Sequence, residues 1–311
     1  MDRTAREKAA GSTTGTTLVR LEGAETLDLL HRISTQDMSD LAPGMARATL
    51  FCDFRGRLLH RAIAARTADG AVWLLRDDAG TAELIAYLER FIFRESVRVA
   101  DRGERGAVVG VAGGVGLEPG TVRERDGVIE AVQVDAEFGM EVVAVASPTT
   151  PARTAPPAEA QAPAPTAAAV LDPAQEVAEV ARIRAGRPRH DHEIAEAFNP
   201  FEVNLAHEVH LDKGCFTGQE ALQRLVTYHS VRRRLVRLSG RGTPPAAPAD
   251  ACAGDAVVGR LTSVAREGDG WIGLAVVRNE ACDSGEALTI EGREPVREAV
   301  PFERTRPLGR P

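Results

Sequence analysis

Hydrophobic positions along the chain switch between a period of two and a period near 3.6, and each switch marks an element. Thr17–Leu21 alternates as a short strand. Ala24–Ile33 then takes helical spacing, with Leu27, Leu30 and Ile33 on its apolar side. Arg47–Asp53 and Arg57–Ala65 read as strands of one hairpin, joined by the turn Asp53-Phe54-Arg55-Gly56. A second turn, Ala68-Asp69-Gly70, leads into the strand Val72–Leu75. Thr81–Phe93 reads as a helix, because Leu84, Leu88 and Phe91 share one face at i, i+4 and i+7. Ala107–Val111, Gly127–Val134 and Met140–Ala146 are the next strands. Helix resumes at Pro173–Ile183, with Asp172 as its cap and Pro173 at the first helical position. A further helix runs over Gln219–Val226. Beyond Arg234 only strands and turns remain: Leu235–Leu238, Ala256–Ala265, Trp271–Val277 and Ala287–Glu291. This pattern predicts an α+β chain ending in a small β-barrel or sandwich of roughly eighty residues.

Two polar stretches punctuate the pattern. Residues 1–16 form a polar tail, and residues 147–169 are crowded with Pro and Ala, which predicts an extended insert. The expected organisation is therefore a tail at 1–16, a main region at 17–234 carrying the insert, and a barrel at 235–311. At 311 residues the chain is long for one compact unit. Aromatics make up only 4%, so its cores must be built from Leu, Val, Ile and Ala. The formal charge, 38 basic minus 45 acidic residues, is −7 and argues against a general nucleic-acid binder. The start lacks a secretory signal and no apolar run is long enough to span a membrane. Cys52, Cys215, Cys252 and Cys282 form no CxxC pair, so a reducing cytoplasm is expected rather than a disulfide framework.

Most candidate motifs fail on spacing. The run GVAGGVGLEPG has no third glycine where a dinucleotide fingerprint needs one. His207-Glu208-Val209-His210 is not HExxH, and His190-Asp191-His192 lies in a Pro- and Arg-rich loop, so no metal is expected. Arg232-Arg233-Arg234 is a compact basic cluster at the entrance to the barrel. The segment DKGCFTGQE, residues 212–220, is richer. Gly214 and Gly218 allow sharp turns, while Thr217 and Glu220 match the capping box S/T-x-x-E. Neither device accounts for Lys213 or Cys215. A thiol just before a helix and two residues from a lysine should have a lowered pKa. The residues alone leave two roles for Cys215, a reactive thiol or a small buried filler.

KGCFTGQE, with Arg224 following, resembles the signature of the YgfZ-type folate-binding proteins of the glycine-cleavage T-protein (aminomethyltransferase) superfamily. LEGAETLDLLHRISTQDMSDL, FCDFRGR, ARIRAGRPRHDHEIAEAFNPFEVNL and GRLTSVAREGDGWIGLAVVR are similar to other stretches of that family and stand in its order. The resemblance covers roughly positions 17 to 291 outside the Pro/Ala insert. It implies an aminomethyltransferase-like fold around a central channel, with tetrahydrofolate or a derivative as cofactor and iron–sulfur client proteins as partners. On it, Cys215 is the functional thiol, and Asp53, Arg184, Lys213, Gly214, Gln219, Glu220 and Arg224 are the cofactor-binding positions. The implied function is support of iron–sulfur enzyme assembly or repair. The alternative is a tetrahydrofolate-dependent one-carbon transferase or demethylase acting on a small substrate.

The chain departs from the pattern at three places. His60 and Arg61 stand where the T-protein branch carries a pair of aspartates, one of them catalytic, so active aminomethyl transfer is not expected. Arg184 stands where the family commonly has a glutamate at the pterin ring, and a guanidinium cannot accept a hydrogen bond. Val226-Thr227-Tyr228-His229 replaces a Tyr-Arg-Gly step after Arg224.

Overall fold

Strands that read as nearly continuous apolar runs prove to be buried on both faces. The computed structural model describes residues 17–76, 78–102, 106–112, 117–125, 128–135, 140–146 and 173–300. The polar tail, the Pro/Ala segment, the cap at Asp172 and the centre of the glycine run lie outside the described residues. The first sheet contains β1 (Thr17–Glu22), β2 (Ala46–Cys52), β3 (Leu58–Arg66), β4 (Val72–Arg76) and β5 (Arg98–Asp101). Its order is β2-β3-β4-β1-β5, with antiparallel pairing throughout. Alternate side chains point to opposite faces. Val19, Leu21, Ala62, Ala64, Val72 and Leu74 pack against helices α1 (Thr26–Ile33) and α2 (Thr81–Glu89). Leu18, Ile63, Ala65, Trp73 and Leu75 pack on Ile129 and Val132 of a second sheet.

That second sheet contains β6 (Gly106–Ala112), β7 (Thr121–Arg125), β8 (Val128–Asp135) and β9 (Met140–Ala146), in the order β6-β9-β8-β7. After α3 (Pro173–Arg184) the chain runs irregularly to α4 (Gln219–Thr227), broken only by short 3₁₀ turns at Pro200–Glu202 and Ala206–Glu208. The C-terminal sheet follows, with β10 (Arg233–Arg241), β11 (Ala249–Ala253), β12 (Ala256–Glu267), β13 (Gly270–Arg278), β14 (Leu288–Ile290) and β15 (Val296–Ala299). Its order is β14-β11-β12-β13-β10-β15, and the short helix α5 (Asn279–Asp283) follows β13. A Cβ at Gly240 would lie 2.6 Å from the Trp271 indole, so only glycine lets that ring lie across β10. No helix among the described residues is long and apolar enough to cross a membrane.

The predicted strands and helices stand within a few residues of their expected limits, with one helix clearly shorter. α2 ends at Glu89 rather than Phe93. The N–H groups of Arg90, Phe91 and Ile92 bond three residues back, and Glu95 Oε2 then accepts from Phe93 N and Arg94 N. The side chain of Glu95 ends the helix, which no apolar spacing foretells.

The irregular segment is fixed by three buried glutamates, each tied to a different neighbour. Glu193, fully buried, accepts from the Ser263 hydroxyl at 2.8 Å, from Thr262 Oγ1, from Arg189 N at 3.1 Å and from Arg182 at 3.3 Å. Glu202 accepts from Arg233 Nε of β10 at 2.7 Å and from Asn199 N at 3.1 Å, while Asn199 Oδ1 accepts from Phe201 N and Glu202 N. Glu208 takes the Arg61 guanidinium of β3 in a bidentate pair at 2.6–3.0 Å. Around these anchors one core joins Leu50, Leu58, Phe198, Phe201, Leu211, Phe216, Leu235 and Ile272 across all three parts of the chain.

Removing one partner of such a pair leaves the other charge buried. Glu193→Ala is expected to lower stability by about 3–5 kcal/mol, measured as a shift in the urea unfolding midpoint at unchanged slope.

Candidate functional site

The loop 212–218 is a clasp between the first helix and the hairpin turn of β2–β3. Lys213 is buried, its ammonium donates to the carbonyl of His31 in α1, and it lies 4.9 Å from the centre of the Phe216 ring. In return His31 Nε2 lies 2.7 Å from the Lys213 carbonyl. That carbonyl can only accept, so Nε2 carries the proton. Burial pulls the Lys213 ammonium down to about 8, partly opposed by the nearby Asp37 carboxylate. The next contact is Thr217 N donating to Arg32 O at 3.2 Å. Phe216 points inward and is buried, whereas Cys215 between the two anchors is exposed. The small-filler role is thereby excluded for Cys215.

The far end of the loop is set by a close approach of two backbones. Gly218 has φ +85°, and a Cβ there would lie 2.4 Å from the Asp53 carbonyl. Asp53 Oδ1 accepts from Arg55 N and Arg57 N, both at 2.8 Å, and so holds its own turn in shape. The expected capping box does not form. Gly218 is the residue that precedes the helix, in the left-handed conformation and with no side-chain cap. Clearing the Asp53 carbonyl requires that conformation, which moves the cap of α4 from Thr217 to the next residue. Glu220 instead pairs with Arg224 at 2.5 Å on the exposed face of α4. Gln219 Nε2 donates to Leu211 O at 2.8 Å, closing the loop from below.

Of the residues singled out in the sequence, Asp53, Lys213, Gly214, Cys215 and Gln219 meet around the start of α4, with Glu220 and Arg224 on its outer side. Arg184 has another neighbour. Its Nε donates to Glu267 at the end of β12 at 2.8 Å, and its side chain is 62% exposed. It lines a cleft of about 420 Å³ together with Glu176, Val177, Val180, Arg266 and Glu267.

At the position of the absent aspartates the structure holds a buried cluster of histidines and arginines. His60 stacks on His190 with ring centres 5.6 Å apart, and its Nδ1 lies 3.2 Å from Arg76. Burial and the Arg76 charge pull the His60 imidazole down to about 3, so it is neutral and accepts from the guanidinium. Arg61 is neutralised by Glu208. A void of about 10 Å³ beside Arg61, Arg76, Asp78 and Arg187 has room for about one water. Glu208 and Glu193 were not singled out by sequence reasoning. The one available signal for Glu208 was its place in His207-Glu208-Val209-His210, which reads as a failed zinc motif.

Residues 8–115 match the family model described as GCVT N-terminal domain, and residues 232–303 match the CAF17 C-terminal beta-barrel domain. A putative chloroplastic transferase of Arabidopsis thaliana is 35% identical over 112 residues, 35% of this chain but only 26% of that protein. An aminomethyltransferase of Mycobacterium leprae is 26% identical over 297 residues, 90% of this chain and 79% of its own length. The crystal structure of the glycine cleavage system aminomethyltransferase T from Bartonella henselae superposes with a TM-score of 0.69. At 17% identity, covering 94% of this chain and 85% of that one, it establishes the common fold.

Two measurements test the clasp. Gly218→Ala is expected to cost at least about 1–2 kcal/mol, from the left-handed backbone and the clash with Asp53 O together. The ¹³C signal of reductively methylated Lys213 should titrate near pH 8, where an open lysine titrates near 10.5. The folded value lies below the unfolded one, so between these two pH values the unfolded chain binds the extra proton. Stability should therefore rise through that window in the natural chain relative to Lys213→Met.

Proposed function

We propose, for a chain that belongs to the T-protein superfamily and carries a CAF17/YgfZ-like C-terminal barrel, that it binds tetrahydrofolate or a derivative and supports assembly or repair of iron–sulfur enzymes. The observation that carries this reading is the exposed Cys215 held between the buried Lys213 and Phe216. Thiol chemistry requires an accessible sulfur. Cys52 and Cys282 are buried, and burial pushes the Cys52 thiol far up, which leaves it protonated. Cys215 is the exposed one of the four.

Asp53, Gly214, Lys213 and Gln219 serve on this reading as the frame that presents the thiol, and Glu220 and Arg224 are the polar groups beside it. The cleft next to Arg184 has the volume and mixed lining of a small-ligand site. Tetrahydrofolate there would supply a carrier for one-carbon units on its reduced ring. The folate and the iron–sulfur clients are the partners, and the cytoplasm is the compartment. Aminomethyl transfer is not proposed, because Arg61 stands where the superfamily's carboxylate would be and the void beside it admits about one water. One observation favours the second reading, a one-carbon transferase or demethylase. Glu208 returns a carboxylate to the same place, although it is bound by Arg61.

Calorimetric titration with 5-formyltetrahydrofolate should give saturable binding, and none at millimolar ligand would overturn the folate reading. Cys215→Ala, an exposed change, should leave stability within about 0.5 kcal/mol. In a deletion strain it should fail to restore iron–sulfur enzyme activity, and full complementation would sink the role of the thiol.

A further inference from the structure

Aromatic side chains are scarce in this chain, at 4%, and most of the described ones are buried. The three exposed ones among the described residues, Phe54, Phe93 and Tyr228, all stand on elements that meet the loop 212–218. Phe54 lies in the β2–β3 turn, next to the Asp53 carbonyl that Gly218 passes. Phe93 follows α2, and its N–H donates to Glu95, which pairs with Arg32 at 2.8 Å. The carbonyl of Arg32 in turn accepts from Thr217 N. Tyr228 closes α4, on one line with Glu220 and Arg224 at i, i+4 and i+8. These elements converge at one point. The Tyr87 hydroxyl of α2 lies 3.2 Å from Ile33 O and 3.4 Å from Cys52 O, with the Thr217 side chain beside it. Around the rings, Arg55, Arg90 and Arg94 are exposed and have no ion-pair partner among the described residues. The Arg55 guanidinium lies 5.1 Å from the centre of the Phe54 ring. Glu89 is the exposed carboxylate that opposes the three arginines, while Glu220 is already paired with Arg224.

We propose that this face is a docking surface for a protein that presents apolar side chains within a carboxylate-rich surface. Exposed aromatic rings set among arginines have the composition of an interface core, where Tyr, Phe and Arg are enriched. Phe54 and Phe93 gain from burial only against a partner, because the fold covers neither. The three arginines outnumber their one opposing carboxylate on a chain whose formal charge is −7. The face is thus a local positive patch that steers an acidic surface toward it. A polynucleotide fits it less well. Glu89, Asp212 and Glu220 are exposed on the same elements and repel phosphates, and the rings stand on separate elements rather than in a row for stacked bases. Cys215 is exposed on the loop where these elements meet, so a docked partner faces the thiol. The inference rests on the reading above only in giving the chain protein partners, and it needs neither the folate nor the thiol chemistry.

The test places the photo-crosslinking residue p-benzoylphenylalanine at Phe54 or at Phe93 of the full chain, in the cells that make the protein. Val257 and Val296, exposed apolar positions of the C-terminal sheet, are the controls. Both aromatic positions should yield adducts with the same protein, and the controls should not. With that protein purified, calorimetry should show binding that weakens as salt rises. The double change Arg90→Glu with Arg94→Glu should weaken it about tenfold or more, and Arg90→Lys with Arg94→Lys should retain it. These side chains are exposed, so unchanged melting temperatures will confirm that the variants are folded. The docking surface is overturned if the two positions share no adduct, if their adducts are with nucleic acid alone, or if affinity ignores the charge reversal. Binding to phosphatidylglycerol vesicles that Phe93→Ser abolishes, without a shared protein adduct, would overturn it in favour of a membrane. Complementation by Cys215→Ala separates the two claims. If that variant complements while the shared adduct persists, the thiol role falls and the surface stands. If it fails to complement and no adduct forms in the natural chain, the surface falls and the thiol role stands.

Discussion

The structure depends on how a segment of some thirty residues with almost no helix or strand is held in place. Residues 186–217 cross from α3 to α4 through the interior, where every backbone polar group needs a partner. Sheet ladders supply those partners elsewhere in the fold. Here backbone turns supply most of them, and three glutamates fix the segment to its surroundings. Glu193 ties the segment to α3 and β12, Glu202 to β10, and Glu208 to β3. Each carboxylate receives several donors, which is the condition for a charge to be tolerated in a core. The braces are also staggered in sequence, so each fixes the chain before the next is reached.

The geometry of the thiol loop follows from the last brace. Glu208 O accepts from the Thr35 hydroxyl, and Thr35 O accepts from His210 N at 2.9 Å. The chain therefore emerges beside α1 in register for Lys213 and His31 to exchange their bonds. With Lys213 and Phe216 drawn inward on either side, Cys215 has only the outward direction left. Gly218 then passes under the Asp53 carbonyl, where no other residue fits. The exposed thiol is thus the product of its neighbours' burial rather than of any contact of its own.

Much of the fold was legible in the sequence because burial on two faces leaves long apolar runs such as Val72-Trp73-Leu74-Leu75. The strands that escaped notice, β5, β7, β11 and β15, are short and mostly half-exposed, so their side chains carry little periodic signal. The KGCFTGQE signature located the loop, and its glycines correctly announced sharp turns. It could not show that Gly218 and not Thr217 stands at the cap of the helix, because that choice is made by Asp53, 165 positions upstream. The buried glutamates were equally illegible. A Glu in an irregular, charged stretch looks solvated until the fold brings Arg61 or Thr262 to it.

The two substitutions that set this chain apart from its resemblance share a physical logic. At Arg61 and at Arg184 a cation stands where a carboxylate would be expected, and each is met by a glutamate from another element. The Arg61–Glu208 pair is buried and bidentate, so the cation has become part of the brace and is not available to a ligand. The Arg184–Glu267 pair rests on a single contact at 2.8 Å, with the arginine largely exposed at the mouth of a cleft. Identical charge changes therefore have opposite consequences, and desolvation decides which. The buried exchange removes a carboxylate from the site and makes it structure. The exposed exchange leaves the guanidinium at the mouth of the cleft, held by a single surface partner that it can exchange at little cost.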